Sequence, residues 1–172
     1  MSSNSPSEGG LTSPEIFMRH AIEISARALD DPGCRPYGGV VVKDGRIVGE
    51  GINRSVKDLD PTSHGETEAI RDACRTLGTT DLTGCTLYAS CEPCPLCVAA
   101  MMIAGVDRMY YAVSLEESDA ILAAIPGGDC NAVDVQSLRD QTAKPVAKRT
   151  MPSGQILSGE GGDVLRRWSR TA

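Results

Sequence analysis

The sequence predicts an α/β fold of three layers, with helices on both faces of a mixed sheet, followed by an extended C-terminal arm. Three observations carry this. From residue 84 onward strand-like runs alternate with helical periods, which implies right-handed crossovers and a sheet covered on both faces. Asp44-Gly45 separates Val40-Val41-Val42 from Ile47-Val48, a hairpin signal that makes the sheet mixed. Past Ala124 the chain is broken by Gly127-Gly128, Pro145, Pro152 and Gly161-Gly162, and only residues 163–170 read as helical.

The elements follow in order. Residues 1–12 are rich in Ser, Gly and Pro and read as a disordered tail. Ser13-Pro14-Glu15 opens a helix expected to run to about Asp31, with a cap, a Pro at the first position and an acid in the first turn. The hairpin comes next, then a polar loop over residues 53–63. From His64 the period is helical: Ala69, Ile70, Ala73, Cys74 and Leu77 share one face, and Gly78 closes the helix. Residues 85–90 read as a strand and 94–105 as a helix buried on most sides, with Met101 and Met102 as core filler. Residues 107–113 read as a further strand with its tyrosines half in the core. The expected organisation is therefore a tail (1–12), a core domain (13–125) and an arm (126–172) that packs on a partner subunit.

Composition excludes several classes. With 172 residues, 41% hydrophobic and 23% charged, the chain is globular and long enough for a real core. No apolar run is long enough to span a membrane. The formal net charge of −6 and only one Trp, four Tyr and one Phe disfavour a nucleic-acid partner. Seven cysteines, an odd number, and an N-terminus without a secretory pattern point to reduced thiols in a cytoplasmic protein.

Two short motifs carry the chemistry. His64-Gly65-Glu66 and Pro93-Cys94-Pro95-Leu96-Cys97 each open a predicted helix, and a strand lies between them. Cys94 and Cys97, three residues apart, share one helix face, and the positive end of a helix favours thiolates. Two thiolates and a neutral His64 fill three corners of a zinc tetrahedron and leave the fourth for water, the arrangement of a catalytic site. Glu66 lies on the apolar stripe of its helix, where a carboxylate is costly unless used; beside an acidified water it accepts a proton and passes it on. Other readings of these residues exist. Glu66 could complement the helix dipole, Cys91, Cys94 and Cys97 with one more Cys could close a structural four-ligand site, and Cys94 and Cys97 could form a redox pair. The redox reading leaves His64 and Glu66 unexplained. Cys34, Cys74, Cys85 and Cys130 read as small hydrophobes or surface thiols, and His20 as an ordinary helix residue.

The His-x-Glu and Pro-Cys-x-x-Cys pair is the signature of zinc nucleobase deaminases. The chain resembles the cytidine deaminase-like superfamily, and within it the bacterial guanine deaminase branch. The resemblance rests on Pro36-Tyr37-Gly38-Gly39, Glu50-Gly51-Ile52-Asn53, Asp60-Pro61-Thr62-Ser63-His64-Gly65-Glu66, Ser90-Cys91-Glu92-Pro93-Cys94-Pro95-Leu96-Cys97 and, in the arm, residues 144–152. It implies a three-layer α/β/α fold around a central mixed five-stranded sheet. It implies zinc held by His64, Cys94 and Cys97, with Glu66 as proton shuttle and Cys91 outside the metal shell. Asn53 would hydrogen-bond the substrate base, Tyr37 would pack on its ring, and Gly65 would offer its backbone N–H. It also implies a homodimer with the arm exchanged between subunits or capping the pocket. Two departures stand out: Gly65 replaces the Ala usual between His and Glu, and the chain ends in Trp168-Ser-Arg-Thr-Ala172 without the aromatic terminus common in that branch.

The expected activity is zinc-dependent hydrolytic deamination of guanine or a close aminopurine with release of ammonia. The alternatives are guanosine or another amino-heterocycle as substrate, a tRNA adenosine deaminase, and a non-enzymatic zinc-stapled interaction domain. The small-molecule partner is thus a purine base or nucleoside. Its N–H donors call for a carboxylate in the pocket. Asp129 is the candidate, ahead of Asp119, Glu160 and Asp163.

Overall fold

Ser13 is extended and caps α1 (Pro14–Ala26), whose first position is Pro14. The structure, a computed structural model, describes residues 13–125 and 134–171. They form two compact units divided between Ala132 and Val133.

In the first unit α1 passes into a 3-10 turn, Arg27–Leu29, and stops short of the expected end near Asp31. Asp31 precedes Pro32, which disfavours helical backbone, and its carboxylate accepts from Gly33 N at 3.1 Å instead. Strands β1 (Arg35–Lys43) and β2 (Arg46–Asn53) form the antiparallel hairpin. Asp44 (φ 50°) and Gly45 (φ 72°) both take the left-handed conformation that such a two-residue turn demands. Then come α2 (Gly65–Leu77), β3 (Cys85–Cys91), α3 (Pro95–Ala104), β4 (Arg108–Val113) and α4 (Leu115–Leu122). The sheet order is β2-β1-β3-β4, with β1 antiparallel to both neighbours and β3 parallel to β4.

Alternation along β1 divides the core. Val40 and Val42 pack with Phe17, Ala21 and Ile24 of α1 and with Tyr88. Val41 faces the other way, into a cluster with Ala69, Ile70 and Ala73 of α2 and Met101 and Ala104 of α3. The layers are therefore α1, the sheet, and α2 with α3.

Three expectations are corrected. The sheet has four strands among the described residues, not five. After β4 the Ser114–Glu117 capping box starts a helix, and no further described segment carries a strand-like apolar run. Helix α3 is not buried on most sides: Met101 is in the core, but Met102 is 77% and Ile103 87% exposed. In the second unit two helices form rather than one. They are α5 (Val135–Ala143), whose Asp134 cap accepts from Ser137 N, and α6 (Ser158–Trp168). Among the described residues no helix is long and apolar enough to cross a membrane, and the six described cysteines are free.

Candidate metal centre

β2, β3 and β4 run the same way, and β1 runs against them. The carboxyl ends of the three like-directed strands and the start of β1 therefore lie at one edge, the usual place for a site in an α/β sheet. Helix α2 reaches this edge through glycines. A Cβ on Gly51 would stand 2.3 Å from the Gly65 carbonyl oxygen, and one on Gly65 would stand 2.4 Å from the Tyr37 carbonyl oxygen. The first turn of α2 thus lies directly on β1 and β2. An Ala at position 65 would need the backbone to move.

That turn is pinned at its cap. His64 is the extended N-cap residue, its N–H donates to Thr67 Oγ1 at 3.0 Å, and Thr67 Oγ1 lies 2.7 Å from the Thr62 carbonyl. The second helix start is built alike. Cys94 is the extended N-cap of α3, between the fully buried Pro93 and Pro95 at the first helical position, and Cys97 is buried in the first turn. Glu92 holds this loop to the end of β4: its N–H donates to Val113 O at 2.7 Å and its carboxylate accepts from Leu115 N at 3.1 Å.

The two starts bring His64, Cys94 and Cys97 together, and Cys91 is not in the group. His64 Nδ1 is 3.5 Å from Cys94 Sγ and 3.4 Å from Cys97 Sγ, and the two sulfurs are 3.7 Å apart. A zinc tetrahedron with Zn–S about 2.3 Å and Zn–N about 2.0–2.1 Å has edges of about 3.8 Å (S–S) and about 3.6 Å (S–N). The three distances agree with those edges to within about 0.2 Å. The donor set is also the one zinc takes.

The charges favour a cation. Cys94 is brought down to about 4, first by the hydrogen bond from Cys97 and then by that from His64. Cys97 is pushed up, because it is the donor in that pair and because it is buried. Two adjacent thiolates, one half-buried and one buried, are incompatible without a positive ion; a divalent cation removes the conflict. His64 is raised above its ordinary value, chiefly by its hydrogen bond to Cys94. Glu66, 7% exposed, sits two residues past His64. Burial is the main cause that pushes its carboxyl above the usual carboxylate range, and its carboxyl interacts with Cys97.

The other sequence candidates fall as follows. Asn53, at the end of β2, is 4% exposed. Tyr37 is half-buried on β1 and meets the start of α2 through its carbonyl. Gly65 is buried at the first position of α2. Asp129 lies outside the described residues. Asp119, Glu160 and Asp163 are not in the metal group. Sequence reasoning missed Ser90, buried near the end of β3, whose hydroxyl accepts from Gly38 N at 2.9 Å and ties β1 to β3 beside the centre. It also missed Ser55 and Thr67. A lone serine or threonine has no spacing signal.

Comparison with known proteins agrees with this geometry. Residues 11–113 match the family described as the cytidine and deoxycytidylate deaminase zinc-binding region. The guanine deaminase of Bacillus subtilis is 35% identical over 158 residues, covering 92% of this chain and 95% of its own. Its X-ray structure superposes with a TM-score of 0.78 at 34% identity, over 93% of this chain and 96% of that one. A tRNA-specific adenosine deaminase of Aquifex aeolicus is 39% identical over 98 residues, 56% of this chain and 64% of its own. A solved structure in complex with 8-azaguanine aligns with a TM-score of 0.60 at 29% identity, covering 64% of each chain. On the family match over the span that brings the three ligands together, the chain belongs to the cytidine and deoxycytidylate deaminase zinc-binding family and is a hydrolytic deaminase that uses zinc.

Proposed function

We propose that this protein deaminates guanine with water, forming xanthine and releasing ammonia. The observation that carries the proposal is the buried Glu66 carboxyl beside three donor atoms spaced as edges of a zinc tetrahedron. The choice of base is supported by identity at like coverage: the Bacillus subtilis guanine deaminase is 35% identical over 92% of the chain, against 29% over 93% for the tRNA-specific adenosine deaminase of the same organism. The net charge of −6 also suits a small base better than a polyanion.

His64, Cys94 and Cys97 would hold zinc. When bound, zinc supplies the Lewis acidity that makes an attacking water acidic near neutral pH. The rest of the work falls to side chains. A Glu66 carboxylate oxygen takes the proton of the attacking water and delivers it to a ring nitrogen of the base. It then takes the proton of the hydroxyl now on the carbon and hands it to the exocyclic amine, which leaves as ammonia while the carbonyl forms and the carbon–nitrogen bond breaks. Its buried position keeps bulk water from exchanging with that proton. Asn53 donates to an acceptor on the purine edge, Tyr37 packs on the ring, and Gly65 N–H contributes a further donor. The partner expected for the core is a second copy of the chain, seated on the exposed apolar face of α3 that carries Met102 and Ile103.

The test is ammonia release from a panel of guanine, guanosine, adenine, cytidine and tRNA by purified zinc-loaded protein. Turnover of guanine with the others inert is the expected result. Turnover of tRNA adenosine alone overturns the assignment of substrate.

A further inference from the structure

We infer that Ser55 is a positioning residue that restricts Asn53 to donating a hydrogen bond into the site. The inference rests on the guanine deaminase reading and deepens it by naming what sets the polarity of one recognition group. Residues 49, 51 and 53 of β2 share one face. Gly51 on that face abuts the Gly65 carbonyl, so Asn53, two residues on, stands beyond the start of α2 on the side of His64 and Glu66.

The Asn53 side chain is held by one residue through two donors. Its Oδ1 accepts from Ser55 N at 3.1 Å and from Ser55 Oγ at 2.8 Å. A backbone N–H only donates, so the amide atom facing it is the oxygen. Reversing the amide would set NH2 against N–H and leave a donor unpaired in a part-buried place. With both lone pairs of Oδ1 in use, Nδ2 is the group Asn53 has left. Ser55 is itself fixed. Its carbonyl accepts from Asp60 N at 3.1 Å, and Arg54 N donates to Ser63 O at 2.9 Å. The Arg54 guanidinium meets both oxygens of Asp58, at 2.8 and 2.9 Å. The loop from Asn53 to His64 therefore joins the base-reading residue to the metal ligand as one braced segment.

The chemical consequence is selection. An asparagine free to flip pairs with a carbonyl oxygen or an exocyclic amine alike. One locked by Ser55 pairs with an acceptor only, a carbonyl oxygen or an unprotonated ring nitrogen, and leaves an amine at that place unpaired.

The experiment compares wild type, Ser55→Ala, Ser55→Thr and Asn53→Asp, all zinc-loaded, for guanine kcat and KM, zinc content and Tm. Through-hydrogen-bond NMR coupling between Ser55 N and Asn53 Cγ is measured alongside. The coupling is expected in wild type. Ser55→Ala should raise KM about two- to tenfold, the value of one neutral hydrogen bond, with kcat, zinc content and Tm little changed. Ser55→Thr, which restores the hydroxyl, should return KM to wild type. Asn53→Asp keeps both acceptors for Ser55 but has no donor, so it should keep its zinc and Tm and lose guanine turnover. Absence of the coupling, an unchanged KM in Ser55→Ala, or an active Asn53→Asp each overturns the lock. A wild type that shows the coupling but releases no ammonia from guanine overturns the substrate assignment and leaves the geometry of the lock standing.

Discussion

Gly51 of β2 and Gly65 of α2 meet backbone to backbone: a Cβ on Gly51 would lie 2.3 Å from the Gly65 carbonyl oxygen and 2.4 Å from Ala69 N. Neither atom belongs to a flexible side chain, so the clash can be relieved only by moving the helix. Gly51→Ala should lose about 1–3 kcal/mol by overpacking, lowering Tm by about 2–4 °C per kcal/mol. Because α2 carries His64 and Glu66, zinc content and turnover should fall with it. Gly159→Ala is the contrast. Gly159 lies in α6 with nothing within 4 Å of an added Cβ, and the change should be neutral or stabilising by up to about 1 kcal/mol. Equal Tm values for the two variants would show that the close approach is not tight in solution.

Glu66→Gln keeps the size and burial of the side chain and removes its ability to carry a proton. Zinc content, measured by elemental analysis, should stay at the wild-type level. Ammonia release should fall by more than about 10²–10⁴, the usual share of one general acid–base group, because the same carboxylate acts twice. A variant that retains a tenth of wild-type turnover would remove Glu66 from the proton path and restore the structural reading of the zinc.

What was legible from the residues follows from how locally each feature is encoded. Asp44-Gly45 announces its turn because only residues that tolerate positive φ fit there. His64 with Glu66 and Cys94 with Cys97 announce a cluster because metal donors at helical spacing share a face. The phase of α3 was illegible: Val98 to Ala104 is apolar throughout, so no period says that Met101 points inward while Met102 and Ile103 point out. The strand count was carried by resemblance alone, and the described residues after β4 prefer helix caps. Ser90 acts through a contact set by tertiary structure, with Gly38 52 residues away, which no one-dimensional pattern encodes, whereas the Ser55–Asn53 pairing is local, two residues apart, a turn pattern too common to signal a site.

The exposed face of α3 gives a third expectation. Met102 (77% exposed) lines a cavity of ≈190 Å³ together with Val98, Met101, Val106, Asp107, Arg108 and Met109, and Ile103, the next residue of the helix, is 87% exposed. A protein that left this face in water would be prone to association, and a second copy would cover it at no cost in new surface types. Sedimentation should find a dimer for wild type and a monomer for Ile103→Glu, with zinc content unchanged in the variant because Ile103 contributes nothing to the metal group. A wild type that sediments as a monomer at high micromolar concentration would refute the assignment.

Zinc uptake should release protons, and the shifts say which. Cys94 is a thiolate down to about 4, so at neutral pH it has no proton to give. Cys97 is raised and holds its proton there when no cation is present. Binding requires both sulfurs as thiolates, so about one proton leaves Cys97 per zinc at pH 7, with a further fraction from His64, whose pKa is raised. The sign follows: acidification opposes uptake, and zinc affinity should rise as pH increases through neutrality. Calorimetric titration in buffers of different ionisation enthalpy counts the protons directly. The same linkage makes zinc a stabiliser of the fold, by about 4 kcal/mol when free zinc is about a thousand times Kd, so chelation should lower Tm and readdition restore it. Uptake without proton release would mean that Cys97 is already ionised in the apo protein or is not a ligand, and either result contradicts the charge balance described for the three donors.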